Sequence, residues 1–255
     1  MTPARVASKK FNQLLTSPFP QMQDMSCGAS SYMNIVLEGN IGCGKSTFLR
    51  QLELHSLAAS LCSFQTEALD IWTKYGGSSK NLMEDYYFNG MKTSFAVQTA
   101  IMSGIVDQAR AIPSNVQIRV RERSLESAYN VFVRMLSSQS KLSDVEFDIL
   151  TALYNTLSAS VMKPDLIIYF KSDPAKCLER IRQRGRFEEK KMELPYLQDI
   201  DRFYDKWLLN NDQSDDTLPS YDGMLYTIHV DDELSFNTYE VINRIDKIIF
   251  QRFGI

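Results

Sequence analysis

Gly39, Gly44, Lys45 and Ser46 stand at the spacing of a phosphate-binding loop, G-x-x-x-x-G-K-[ST]. Each residue type has a physical task there. The glycines let the backbone wrap a phosphate, and the amides that open the next helix face it with a partial positive charge. Lys45 is expected to reach the β- and γ-phosphates, and the Ser46 hydroxyl to ligate Mg²⁺. Asn40, Ile41, Gly42, Cys43 and Thr47 complete the expected nucleotide-binding stretch. Further along, Glu67 and the pair Glu122-Arg123 offer carboxylates and a cation. An arginine series (Arg180, Arg182, Arg184, Arg186) offers positive charge for a phosphoryl group in transit. No Asn-Lys-x-Asp guanine-reading motif accompanies them, which argues against a GTPase switch.

The elements that must position these residues are legible in the apolar pattern. Ile35, Val36 and Leu37 read as a buried parallel strand leading into the loop, and 47–59 as the helix leaving it. A second strand is expected over 61–67 and an irregular crossing over 68–80. A mostly helical segment follows over 81–110, bent at Gly90, with a turn at 113–115. The third strand, 116–121, alternates Arg119 and Arg121 with apolar residues, which predicts that one of its faces lines a charged cleft. The next helix repeats Leu125, Ala128, Tyr129, Phe132, Met135 and Leu136 on one face. Ser143 with Glu146 forms a capping box, and Leu142 with Phe147 a hydrophobic staple, opening a helix to about residue 162. A fourth strand over 165–170 precedes Asp173 as N-cap and Pro174 at the first helical position. That helix ends in the arginines, two on each of two faces, as a lid that closes over phosphates would. Pro195 opens a helix whose inner side holds Tyr196, Ile200, Phe203, Trp207 and Leu208. A polar loop (210–221), a fifth strand (226–230) and a closing helix (239–250) finish the chain. Strands alternating with helices predict an α/β fold with a parallel sheet covered on both faces. Ligands in such sheets bind beyond the carboxyl ends of the strands. The loop, Glu67, Glu122-Arg123 and the segment after Phe170 should therefore meet at one edge.

The 255 residues, 44% hydrophobic with net charge −3, suit one compact domain and no nucleic-acid-coating role. No apolar run reaches membrane-spanning length. Cys27, Cys43, Cys62 and Cys177 are widely spaced without a metal-ligand pattern, as reduced thiols of an intracellular protein are. Residues 1–23 contain Arg5, Lys9 and Lys10 but no acid, which fits either a mitochondrial transit peptide or a disordered tail. The expected division is a tail over 1–32 and a domain over 33–255. Its expected compartment is the cytoplasm, or the mitochondrion if the start is a leader.

Taken together, these stretches resemble the deoxyribonucleoside kinases, in the branch with mitochondrial thymidine kinase and the insect multisubstrate kinase. The carriers are Glu38-Gly-Asn-Ile-Gly-Cys-Gly-Lys45, Glu122-Arg123-Ser124, Arg180-Ile-Arg-Gln-Arg-Gly-Arg186-Phe-Glu-Glu189, Tyr196-Leu197 and Trp207-Leu208. The likeness runs over about residues 33–230. It implies a P-loop kinase fold with a five-stranded parallel sheet and an Arg-rich lid. It also implies a homodimer, and ATP- and Mg²⁺-dependent 5′-phosphorylation of a deoxynucleoside.

The resemblance further implies roles. Glu67 is the base for the sugar 5′-hydroxyl, and Arg123 holds the 5′-oxygen and the moving phosphoryl group. Glu122, with Ser46, sits at Mg²⁺. Lys45, Arg184 and Arg186 act on the phosphates, with Arg182 on the ATP side. Tyr87 and Glu189 hold the sugar 3′-hydroxyl, Gln98 reads the base, and Trp72 and Phe132 wall it. Relatives preferring deoxycytidine or purines carry an aspartate at position 128, paired with an arginine near Ile101. Ala128 instead leaves room for a thymine methyl, so thymidine is expected as substrate, with deoxycytidine. Ala68, Tyr129 and Asn130 depart from the family pattern. The rival readings are a thymidylate kinase and a nucleotide-binding regulatory protein without turnover.

Overall fold

The structure, a computed structural model, describes residues 32–67, 81–110, 116–209, 221, 223–231 and 237–254. Trp72, Ala68, Cys27, the 1–31 segment and the 113–115 turn lie outside the described residues. Strand β1 (Met33–Gly39) is buried along its whole length, as its apolar run requires. It lies at the centre of a parallel sheet with β2 (Cys62–Gln65), β3 (Ile118–Glu122), β4 (Leu166–Lys171) and β5 (Met224–His229), in the order β2-β3-β1-β4-β5. The five strands, the parallel pairing and the alternation with helices are as the sequence predicts.

Two neighbouring residues of β4 show which helices cover which face. The Phe170 ring lies 5.1 Å from that of Phe48 on α1 (Lys45–His55). The Tyr169 hydroxyl donates to Asp205 of α8 (Leu194–Leu209) at 2.9 Å. Successive strand residues point to opposite faces, so α1 and α8 cover opposite sides. Helix α9 (Thr238–Phe253) joins α1, because its buried Asp246 accepts hydrogen bonds from Ser56 Oγ and the Leu57 amide. The register makes the α1 face apolar: Ile35, Leu37, Ile118, Val120, Leu166 and Ile168. The opposite face sets Asn34, Glu38, Arg119, Arg121, Tyr169 and Lys171 beside the apolar Val36 and Ile167. Lys171 there is held by Asp201 and Asp205 of α8.

Arg119 and Arg121 do not line a cleft. Each is 2% exposed. Arg119 Nε donates to Gln65 of β2 at 2.8 Å, and Glu126 and Glu38 supply opposite charge to Arg121. They sit upstream on β3, whereas the cavity opens beyond the strand's carboxyl end, where Arg123 stands.

The helical segments keep their order but not their uniformity. The 81–110 stretch is α2 (Leu82–Phe88) and α3 (Ser94–Arg110), separated at Gly90 (φ 62°) and Met91 (φ 65°). The single helix expected after β3 is instead α4 (Leu125–Ser127), a π-helical turn π1 (Ala128–Val133) and α5 (Arg134–Ser138). A π turn accommodates an extra residue, and such insertions cluster at functional sites. It aims Ala128 and Phe132 into the cavity while Tyr129 turns away to stack on Tyr154, with ring centroids 4.3 Å apart. The Ser143/Glu146 capping box opens α6 (Asp144–Ser158), which ends short of residue 162. Helix α7 (Pro174–Arg184) starts at its Asp173 cap and ends at Gly185. None of the described helices is long and apolar enough to cross a membrane.

Close backbone approach fixes the loop after β1. A Cβ at Gly39 (φ 140°) would lie 2.5 Å from the Phe170 carbonyl oxygen. At Gly42 (φ 80°) it would lie 2.6 Å from the Cys177 carbonyl oxygen and 2.9 Å from the Ile181 side chain. The loop is thus seated directly on α7. Gly42→Ala is expected to cost about 1–3 kcal/mol through the φ requirement alone. A lowered melting temperature checks it, and an unchanged one refutes the seating.

Candidate functional site

A cavity of about 730 Å³ opens beyond the carboxyl ends of β1, β2 and β3. Its glycine-loop end is built by Ile41, Gly42, Gly44, Lys45, Ser46 and Thr47. Gly44 is the N-cap of α1 and has no side chain to satisfy the first amides, so these N–H groups remain for an anion. Lys45 Nζ donates to the carbonyls of Gly39 (3.1 Å) and Asn40 (2.8 Å), which keeps the ammonium within the loop. Gly39, Asn40 and Cys43 do not line the cavity. Asn40 turns inward, its Nδ2 donating to the Leu197 carbonyl at 2.8 Å, and Cys43 is 2% exposed. Cys43, Cys62 and Cys177 are free thiols, as expected.

Ser46 Oγ donates to Glu122 Oε2 at 2.9 Å, and Glu122 Oε1 is buried with no hydrogen-bond partner. A hydroxyl beside an under-satisfied carboxylate is an oxygen donor set suited to Mg²⁺. Among the described residues no cluster of three His, Cys, Asp or Glu side chains could hold a metal by itself. The remaining ligands would be substrate phosphates and water, the usual arrangement for this cation.

Glu67, two residues past β2, meets Arg123, the residue after β3, in a partly buried ion pair. Arg123 has φ 65°, a left-handed conformation rarely held outside glycine, and its amide is bonded to the Leu37 carbonyl. Its Nε donates to Glu67, and its Nη1 to the Gly39 carbonyl (3.0 Å) and to Tyr204 Oη. Its guanidinium lies 4.8 Å from the Phe132 ring centroid. Among the described residues Nη2 has no hydrogen-bond partner, although the side chain lines the cavity. Burial would raise the Glu67 carboxyl. Arg123 beside it, with Lys45 and Arg186 beyond, nevertheless holds it below the ordinary carboxylate range. Glu67 is therefore ionised at neutral pH, as a proton acceptor must be.

The lid side divides the arginines. Arg184 and Arg186 line the cavity and both pair with Glu189, Arg184 at 2.8 Å and Arg186 at 3.4 Å. Arg180 also lines the cavity but is tied to Asp231 (2.8 Å) and Ser172 (2.9 Å). Arg182 is exposed and does not line the cavity, because it projects from the outer face of α7.

The far end is apolar with two polar features. Met83, Val97, Ile101, Ile105, Ala128 and Phe132 form its walls. Gln98 is 2% exposed and its Oε1 has no partner, so a buried amide is available to a ligand. Tyr87 lies edge-on to Tyr196, with centroids 6.1 Å apart. Burial first, then Tyr196 and the Glu189 carboxylate, push its phenol well above the usual range, so it remains a donor near Glu189. The sequence pattern passed over Ile105, Tyr86 and Tyr204. Tyr86 shares a hydroxyl contact of 3.3 Å with Tyr196. Tyr204 continues the spacing Tyr196–Ile200, which was a signal for the same inward face.

A family model described as deoxynucleoside kinase matches residues 35–250. Thymidine kinase 2, mitochondrial, of Homo sapiens is 30% identical over 176 residues, 69% of this chain and 64% of that protein. Deoxycytidine kinase 2 of Gallus gallus is 31% identical over 196 residues, 68% of this chain and 73% of that protein. Deoxyguanosine kinase, mitochondrial, of Xenopus laevis is 30% identical over 217 residues, 76% of this chain and 80% of that protein. The match to the human relative thus spans less than two thirds of its length.

Because the Glu67 carboxyl is held down in the folded state, its ionisation stabilises the fold fully above the unfolded glutamate value of about 4.3. That contribution is lost as pH falls through the folded value. The stability difference between the unmodified chain and Glu67→Gln should therefore be flat at neutral pH and shift toward the glutamine variant in acid. Denaturant melts from pH 7 down to 3 test this, and a difference independent of pH refutes the ion pair.

Proposed function

The chain belongs to the deoxynucleoside kinase family, and we propose that it transfers the γ-phosphoryl group of ATP to the 5′-hydroxyl of a deoxynucleoside, thymidine or deoxycytidine. The observation that carries this reading is the Glu67–Arg123 pair at the junction of the cavity's two ends. Phosphoryl transfer needs little covalent help from the protein. It needs alignment, charge stabilisation and a proton acceptor.

Glu67 is an ionised carboxylate whose second oxygen accepts no hydrogen bond from a described residue. It takes the 5′-hydroxyl proton as that oxygen attacks. Arg123 presents Nη2 to the moving group, and Lys45 holds the β- and γ-oxygens of the donor. Ser46 and Glu122 would hold Mg²⁺, which would supply positive charge against that of the phosphates. Arg184 and Arg186 close over the phosphates, and Arg182 stays on the outer ATP side.

At the other end Tyr87 and Glu189 receive the sugar 3′-hydroxyl, and Gln98 offers a donor and an acceptor to a pyrimidine edge. Phe132 supplies a stacking face, with Trp72 as its expected partner. The apolar wall of Ala128, Ile101 and Ile105 holds no charge to bind an amino group and suits a methyl, which favours thymidine. Val145 and Ile149, one turn apart on α6, are 67% and 48% exposed, which supports a homodimer through this face. A thymidylate kinase is less well supported, because the Glu67 carboxylate would repel an acceptor already bearing a 5′-phosphate.

Incubation with Mg-ATP and each of thymidine, deoxycytidine, deoxyadenosine, deoxyguanosine and thymidine 5′-monophosphate tests the reading. Transfer to thymidine or deoxycytidine is expected, with the monophosphate inert. Turnover of the monophosphate alone, or of none, refutes it. Glu67→Gln should lower kcat by about 10²–10⁴ while ATP affinity is retained. Ala128→Asp should lower kcat/KM for thymidine by about ten-fold or more, through a carboxylate placed on an apolar wall.

A further inference from the structure

Arg123 is braced from behind by Tyr204 and Glu38, neither of which lines the cavity. Tyr204 Oη accepts from Arg123 Nη1 and donates to Glu38 Oε2 at 2.8 Å. Glu38 Oε1 accepts from Ser124 Oγ at 2.7 Å. Glu38, Tyr204 and Ser124 are each 0% exposed. The directions are consistent along the whole chain. The guanidinium donates to the phenol, the phenol's single proton goes to the carboxylate, and the carboxylate's other oxygen is filled by the serine. Burial pushes the Tyr204 phenol well above its usual range, so it keeps that proton.

Glu38 thereby reaches Arg123 by two routes. Through Tyr204 it fixes the guanidinium. Through Ser124 it fixes the residue following a backbone held at φ 65°. Ser124 Oγ also accepts from the Ser127 amide at 3.0 Å, which caps α4 and starts the run leading to Ala128 and Phe132. The Tyr204 ring is itself held by stacking on Tyr169, with centroids 5.5 Å apart. The phenol oxygen therefore cannot follow a guanidinium that swings away.

We infer that Tyr204 and Glu38 are positioning residues for phosphoryl transfer: the buried Ser124–Glu38–Tyr204 relay sets the direction in which Arg123 points its one unpartnered nitrogen into the cavity. The inference rests on the proposed kinase reading and adds to it two residues that touch neither substrate. An interaction that acts by aim alone is felt in the transition state, where a misplacement of about 1 Å costs on the order of 10²-fold, and leaves ground-state binding largely intact.

The test compares the unmodified chain with Tyr204→Phe, Glu38→Gln and the double variant. Steady-state kinetics with Mg-ATP and thymidine or deoxycytidine are measured alongside melting temperature and the folded fraction by circular dichroism. Per folded molecule, Tyr204→Phe is expected to lower kcat by about 10–100-fold. Both KM values should stay within about two-fold. Glu38→Gln should act in the same direction, and the double variant should lose no more than the larger single loss, since both break one relay. A kcat within about two-fold for Tyr204→Phe overturns the inference. So does a loss that disappears after correction for the folded fraction, or losses that multiply in the double variant. Should Tyr204→Phe not fold, Glu38→Gln decides alone by the same split of kcat from KM. Absence of turnover in the unmodified chain overturns the kinase reading and the inference with it. Normal turnover there, with normal kcat in the variants, overturns the inference only.

Discussion

A guanidinium that is only 8% exposed must have its charge and its hydrogens answered by the protein, and Arg123 is answered from several elements at once. Glu67 comes from beyond β2, the Gly39 carbonyl from the end of β1, Tyr204 from α8 and the Phe132 ring from π1. An arginine suits this place because its planar fork can bond in several fixed directions while keeping one nitrogen for a ligand. A lysine could match neither the number nor the directions. Removing a partner would leave a buried charge under-compensated, which is costly, so the surrounding elements are held to a narrow set of relative placements. The positive φ at Arg123 persists because those same contacts over-determine it.

The two faces of the sheet divide the labour. The α1 face is hydrocarbon as far as Glu122 at the end of β3 and supplies cohesion, with Ile35, Leu37, Val120 and Ile168 fully buried. The α8 face carries ionic and hydroxyl groups from Asn34 to Lys171, most of them bonded to a covering element or a neighbouring strand, with Arg121 Nε and Nη2 left without a hydrogen-bond partner among the described residues. Such an interior is stabilised only when it is matched group by group, so it defines position more sharply than a greasy one. The site's positioning groups rise from that polar face, and the nucleotide loop rises from the end of β1 between the two.

The loop spacing, the strand–helix alternation, the capping box at Ser143 and the Asp173–Pro174 start were legible because each is a local pattern. So was the meeting of Glu67, Glu122 and Arg123, since all three stand at or just beyond strand ends that a parallel sheet must bring together. The π turn was not legible. Its apolar repeat at Ala128 and Phe132 fits an ordinary helix equally well, and only packing decides between them. Arg119 and Arg121 misled in the opposite sense. Charge on a strand normally signals solvent or ligand, and their burial depends on Gln65 and Glu126, which the sequence does not pair with them. The inward stripe read from the sequence does not include Tyr204. Its phenol matters through Glu38, 166 positions away, a contact that only the tertiary fold creates.

Glu189 is 8% exposed and accepts from both Arg184 and Arg186. An anion that draws either arginine toward the glycine loop leaves this carboxylate short of donors in a nearly dry place. A hydroxyl arriving from the other end of the cavity would then find an acceptor already vacated for it. The reverse also holds, since a ligand that satisfies Glu189 loosens the arginines and lowers the work of drawing them away. Linkage makes the two effects equal in size. A single carboxylate would thus couple the two ends of the cavity, an occupant of either end easing the arrival of the other.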